Sequence, residues 1–179
     1  MTWDIDPVHS NVGFTAKHMM VSSVRGRFGA VRGTIDLDPK SPETVRAEVE
    51  IDAASVDTAM AKRDDHLRSA DFLDVERHPL ISFRANGAHL LGGGRYRVDG
   101  EVTIRGVTKP ITLDAELAGV YESARTGARV GISARGALDR KEFGLNWNQA
   151  LEAGGWLVSD TVKFEIEVEA VRRAETMAA

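Results

Sequence analysis

The chain predicts an all-β protein: an antiparallel sheet of about eight strands closed into a barrel. Apolar and polar residues alternate with period two along six segments, and turn residues fall between them. Continuous apolar runs with intervening amphipathic helices, the marks of a parallel sheet, are missing. A large antiparallel sheet must manage its two edges, and closure removes both.

The elements follow in chain order. Near Gly29 the parity switches: Phe28 and Ala30 share one phase, and Val31, Ile35 and Leu37 the other. An extra residue there predicts a β-bulge that bends a long strand. Asp38-Pro39-Lys40-Ser41-Pro42 is a turn, after which Val45, Ala47, Val49 and Ile51 alternate with Arg46, Glu48 and Glu50. Residues 54–78 break the alternation. Ala59–Arg68 suits a short helix and Ser69–Asp74 a further turn, so short helices are expected in this connection. Ile81, Phe83 and Ala85 restart the pattern, Gly92-Gly93-Gly94 ends it, and Tyr96, Val98, Gly100, Val102 and Ile104 form the next inward row. Arg105–Pro110 closes a hairpin, with Pro110 expected outside any central ladder position. Ile111, Leu113, Ala115 and Leu117 follow, then Val130, Ile132 and Ala134, then Val162 through Ala170 in steps of two. The tail from about Arg172 is polar and expected to fray.

Composition bounds the chemistry. The 179 residues, 42% hydrophobic and 28% charged, read as a single domain over residues 1–179. A chain of this length buries close to 70% of its unfolded surface and needs no staples. Cysteine is absent, which excludes disulfides, thiolate metal sites and cysteine nucleophiles. A net charge of 23 − 27 = −4 argues against general binding to nucleic acid or anionic membranes. The start, Met1-Thr2-Trp3-Asp4-Ile5-Asp6-Pro7, has neither a basic region nor an apolar core, and no membrane-length apolar run follows. A cytoplasmic protein without stable membrane insertion is therefore expected.

Many inward positions carry small residues: Ala16, Ala30, Ala47, Ala85, Ala115, Ala134, Ala170 and Gly100. That lining permits a lengthwise apolar cavity, though from pattern alone a solid core in which large and small side chains alternate is the readier reading. Five histidines (His9, His18, His66, His78 and His89) raise a metal reading, for instance His9, His18 and His66 with Asp64. No His-x-x-x-His pair occurs, and ordinary hydrogen-bonded histidines explain them as well. Ser10 beside His9 has no nucleophile elbow around it. Arg63-Asp64-Asp65-His66-Leu67, the densest polar cluster, either caps a barrel mouth or holds a polar head group. Trp147 and Trp156, flanking Gly154-Gly155, are core plugs or an opening's rim.

Several motifs in register then carry a resemblance. Trp3-x-Ile5-Asp6-Pro7-x-His9-Ser10-x-Val12-x-Phe14-x-x-Lys17-His18 opens the series. Val24-x-Gly26-x-Phe28, Arg63-Asp64-x-His66-Leu67, Asp71-Phe72 and Pro79-x-Ile81-x-Phe83 continue it. Gly100-x-Val102-Thr103-Ile104-x-Gly106-Val107-Thr108-Lys109 and Arg140-x-x-Phe143-Gly144 complete it. From about Trp3 to Val171 the chain resembles YceI-like proteins. The resemblance implies an extended, lipocalin-like, eight-stranded barrel whose apolar pore takes a polyisoprenoid such as a quinone or a polyprenyl phosphate. It also implies a homodimer, no catalytic residues and no cofactor or metal. Many members carry a signal sequence, and this chain departs from them in showing none.

The inward phase makes Val12, Phe14, Phe28, Phe83, Val98, Val102, Ile132, Phe164 and Ile166 the expected lipid-contact residues. Phe72, Phe143 and Trp147 are expected at the mouth or floor, and Lys17, Arg63 and His66 at a head group. The competing function is an enzyme on the same barrel using a histidine/carboxylate metal site.

Overall fold

The computed structural model describes residues 1–174 apart from Ala124 and Thr126. Eleven strands run in chain order: β1 (Thr2–Ile5), β2 (Asn11–His18), β3 (Ser22–Phe28), β4 (Val31–Asp36), β5 (Arg46–Asp52), β6 (Val56–Asp57), β7 (Leu80–Gly92), β8 (Arg95–Ile104), β9 (Val107–Ser123), β10 (Gly127–Asp139) and β11 (Val158–Arg172). One α-helix, α1 (Ala61–Arg68), and three short 3-10 turns at Pro42–Thr44, Ala53–Ser55 and Arg140–Phe143 complete the described elements. All described pairings are antiparallel.

Eight of these strands close a ring, β1-β4-β5-β7-β8-β9-β10-β11, which returns from β11 to β1. At the other end of the molecule β2, β3 and β6 take the places of β1, β4 and β5. Thus β11 pairs with β1 through Ala170–Arg172 and with β2 through Val158–Glu167. The barrel is a meander of eight walls, three of which are bent.

The bend corrects the bulge expected at Gly29. The wall breaks completely at Gly29–Ala30, and its neighbours break alongside it, at Asp6–Ser10 and at Ala53–Ser55. Gly29 N–H reaches Ser55 O at 3.3 Å and Asp52 N–H reaches Ala30 O at 2.9 Å, so the corner is hydrogen-bonded as a unit. Ala30 accordingly lies exposed at the corner rather than inside. Single-residue register shifts occur elsewhere, between Ala85 and Gly87 and between Gly131 and Ile132.

Pro110 is also inside a strand, opposite Glu101. Ile104 and Val107 close a two-residue turn at Arg105-Gly106, both at positive φ (51° and 75°). Hydrogen-bonded and non-bonded pairs alternate from that closing pair, which puts Pro110 at a non-bonded one and turns its nitrogen away from β8. On the far side the β9–β10 ladder begins only at Asp114↔Arg135, so no donor is missed. The wall therefore has an unzipped seam between the start of β9 and the end of β10.

The tail is tied down further than expected. Arg172 belongs to β11 and bonds the Glu122 carboxylate at 3.0 and 3.2 Å, and Arg173 holds Asp4. Residues 175–179 lie outside the described residues.

Candidate functional site: an apolar cavity along the barrel

The inward rows enclose a cavity of about 310 Å³, at the lower edge of the range typical of small-molecule sites. It extends from Ile5 and Val168 to Phe72, Phe143 and Arg140. Below Ile5 the barrel is solid. Trp3, Val130 and Ala170 are fully buried there, and the Trp3 indole N–H donates to Leu37 O at 3.0 Å. Of the expected contact residues, Val12, Phe14, Phe28, Phe72, Phe83, Val98, Val102, Ile132, Phe143, Phe164 and Ile166 all line the cavity. Trp147 does not. It packs in the capped end, 5.4 Å ring to ring from Phe72 and 4.6 Å from His66.

Glycines keep this space open. Phe14, Phe164 and Phe83 carry large rings on the inner face, and each ring lies against a neighbouring strand's glycine. A Cβ at Gly26 would stand 2.3 Å from Phe14 Cζ, one at Gly136 2.4 Å from Phe164 Cζ, and one at Gly100 2.8 Å from Phe83 Cε2. The rings occupy the room a side chain would take and stay flat on the wall. Ala16, Ala47, Ala85, Ala115 and Ala134 line the rest at low volume.

The capped end is built from polar residues that serve the backbone. Thr58 is buried, and its N–H donates to Asp64 Oδ1 at 2.9 Å while its hydroxyl donates to the same oxygen. Arg63 binds Thr58 Oγ1 at 2.7 Å and Thr58 O at 2.8 Å. Arg68 ties α1 to Ala54 O and Val56 O, both at 2.8 Å. An eight-residue helix is marginal alone, and these bonds hold it over the barrel end. His66 packs edge-on to Phe72 and Trp147 and bonds Asp71 at 2.9 Å. Lys17 projects from the outer face of β2. None of Lys17, Arg63 and His66 lines the cavity: two are held in the cap, and the third has outward strand phase.

One charged residue does line it. Arg140 is 3% exposed and donates to Ser159 O at 2.9 Å and Trp147 O at 2.8 Å, as well as to Leu145 O. Burial pulls its guanidinium below the ordinary range, against the opposing pull of Asp160 and Asp139. Arg140 pins residues 145–159 across the barrel end. Its place in Arg140-x-x-Phe143-Gly144 was visible in the sequence; its partners were not, because carbonyls leave no sequence signal.

The histidines do not assemble as the metal reading required. Among the described residues the one group with ligand spacing is Asp6, His9 and Glu169, outside the cavity. Arg129 Nη1 already binds Asp6 Oδ2 at 3.0 Å and also Glu169 Oε1. The His9 hydrogen bond leads the causes that lower the Asp6 carboxyl to about 2, and the same bond raises the His9 imidazole. Ser10 Oγ bonds the Glu169 backbone at 3.3 and 3.2 Å, a structural pin rather than a nucleophile.

Residues 3–170 match the model of the YceI-like domain. The chain belongs to the YceI-like family. A UPF0312 protein of Staphylococcus aureus strain USA300 is 35% identical over 165 residues, 92% of this chain and 94% of that one. A UPF0312 protein of Staphylococcus epidermidis is 36% identical over 168 residues, 93% and 95% of the two chains. Among solved structures, the Campylobacter jejuni YceI protein superposes with a TM-score of 0.76 at 32% identity, covering 88% of this chain and 90% of its own. Burkholderia cenocepacia BcnA shares the fold at a TM-score of 0.81 and 23% identity over 93% of this chain and 99% of that one. So does a polyisoprenoid binding domain from Saccharophagus degradans, at 0.69 and 16% over 96% and 98%. The YceI-like barrel expected from the motifs is thus shown. No described helix is long and apolar enough to cross a membrane.

Proposed function

We propose that this YceI-like barrel binds one long-chain amphiphile of the polyisoprenoid class, a quinone or a polyprenyl phosphate, and sequesters or transports it without catalysis or a resident cofactor. The observation that carries the reading is a cavity whose lining is apolar except for Arg140, an arginine already committed to backbone carbonyls. An apolar wall offers a ligand transfer free energy and no directional chemistry. Each five-carbon unit buried contributes about 4 kcal/mol gross, and chain ordering and lost membrane contacts offset most of it. The Saccharophagus neighbour, named for polyisoprenoid binding, supports the same ligand class. The family resemblance supports a homodimer, and light scattering at a monomer mass would remove that part.

Organic extraction of the purified protein followed by mass spectrometry tests the reading, with a long-chain lipid near one per cavity as the expected result. Val102, 8% exposed and facing the cavity, is the residue to fill. Val102→Trp should abolish lipid loading while the barrel still folds. Unchanged uptake in that variant would remove Val102 from the pore, and a lipid-free protein holding tight zinc or iron would sink the carrier in favour of a metal-dependent enzyme.

A further inference from the structure

We propose that the β2–β3 turn and the loop before β11 form a lip that seats the capped end of the barrel on an anionic lipid bilayer. In the turn, His18 O accepts from Val21 N–H at 3.1 Å, with Met19 (φ 51°) and Met20 (φ 60°) at its centre. Two central residues in the left-handed region call for Asn-Gly, and apolar L side chains there are strained. Burial does not compensate the two methionines: Met20 is 74% and Val21 85% exposed. The adjoining loop adds Trp156, 54% exposed, behind Gly154 and Gly155, both at positive φ. The two segments touch. Met19 N–H donates to Leu157 O at 2.8 Å, and Met20 Sδ would lie 3.0 Å from a Cβ at Gly155.

Position and charge select a bilayer as the partner. His18 pairs with Val158, and Val158 and Ala16 line the cavity, so the lip lies immediately beyond the last lined pair. Lys17 and Arg25 are exposed on β2 and β3 and make no ion pair among the described residues, against one exposed acid in the loop, Glu152. The net charge of −4 disfavours attraction of the molecule as a whole. Within a Debye length of about 8 Å the local cations decide. Flexible methionines and an interfacial tryptophan between basic residues are the chemistry that binds the headgroup boundary. The lip draws its purpose from the carrier reading, because a barrel that handles a membrane-resident chain must reach the membrane.

Flotation of the full chain with vesicles of phosphatidylcholine containing one quarter phosphatidylglycerol tests the lip. The wild type should float at low salt, and less with phosphatidylcholine alone. Met19→Asn/Met20→Gly with Trp156→Ser should weaken association about tenfold or more, and Lys17→Gln about fivefold. Because Asn-Gly suits the turn better than Met-Met, the hairpin variant should melt no lower than wild type, so lost binding is not lost folding. A wild type that never floats, undiminished flotation of the variant, or a dimer that the variant dissociates would each overturn the lip. Extraction of the same samples separates the two readings. Bound lipid in a protein that does not float removes the lip alone, and flotation of a protein that never holds lipid removes the carrier alone.

Discussion

Three phenylalanine rings lie flat on the barrel wall because Gly26, Gly100 and Gly136 leave room for them. An alanine at Gly136 would push the Phe164 ring off the wall and into the cavity. Gly136→Ala should therefore reduce the lipid recovered per protein by extraction, and lower stability by about 1–3 kcal/mol of overpacking in thermal unfolding. The lining itself was legible from the sequence, since alternation assigns each side chain of a strand to one face. Trp147, expected at the mouth or floor, stands in the capped end but off the cavity lining, because it follows β10 in a loop where no period constrains it. Ile5 was passed over as a lining residue, although it shares the inward phase of the buried Trp3. The openness of the cavity was not legible, because a glycine's use depends on the ring that a neighbouring strand lays across it.

At the level of elements, the cap depends on a few buried polar bonds. Asp64 is 6% exposed and serves both the N–H and the hydroxyl of Thr58. Asp64→Ala would leave two buried donors without an acceptor, at about 1–3 kcal/mol each. For a domain of this size each kcal/mol lowers Tm by about 2–4 °C. Asp65→Ala, at an exposed neighbour, should move it by about 1–2 °C at most. The cluster Arg63-Asp64-Asp65-His66-Leu67 read more readily as a cap than as a head-group site, but its composition alone fits both. Only the bonds to Thr58, six residues away or fewer, separate the two. The corner at Asp6–Ser10, Gly29–Ala30 and Ala53–Ser55 was illegible for a different reason: a bend shared by three walls shows in one sequence window only as a parity slip.

At the scale of the molecule, the side chains around a cavity of about 310 Å³ meet fewer protein neighbours than those of a packed core. A ligand that binds only the folded state makes up that deficit, by about 2.7 kcal/mol when present at a hundredfold excess over its Kd. Delipidated protein should accordingly melt about 5–10 °C below protein carrying its lipid, and calorimetry before and after extraction reads the difference. An equal melting temperature would mean that the cavity is empty in both samples. The seam at Pro110 bears on how such a ligand exchanges. The β9–β10 ladder stops at Asp114↔Arg135, and between the start of β9 and the end of β10 side chains meet instead, with Leu113 near Gly136. A proline with no N–H on that side keeps the stitch from forming. On the carrier reading, this unladdered stretch is where a chain passes the wall without breaking a sheet hydrogen bond.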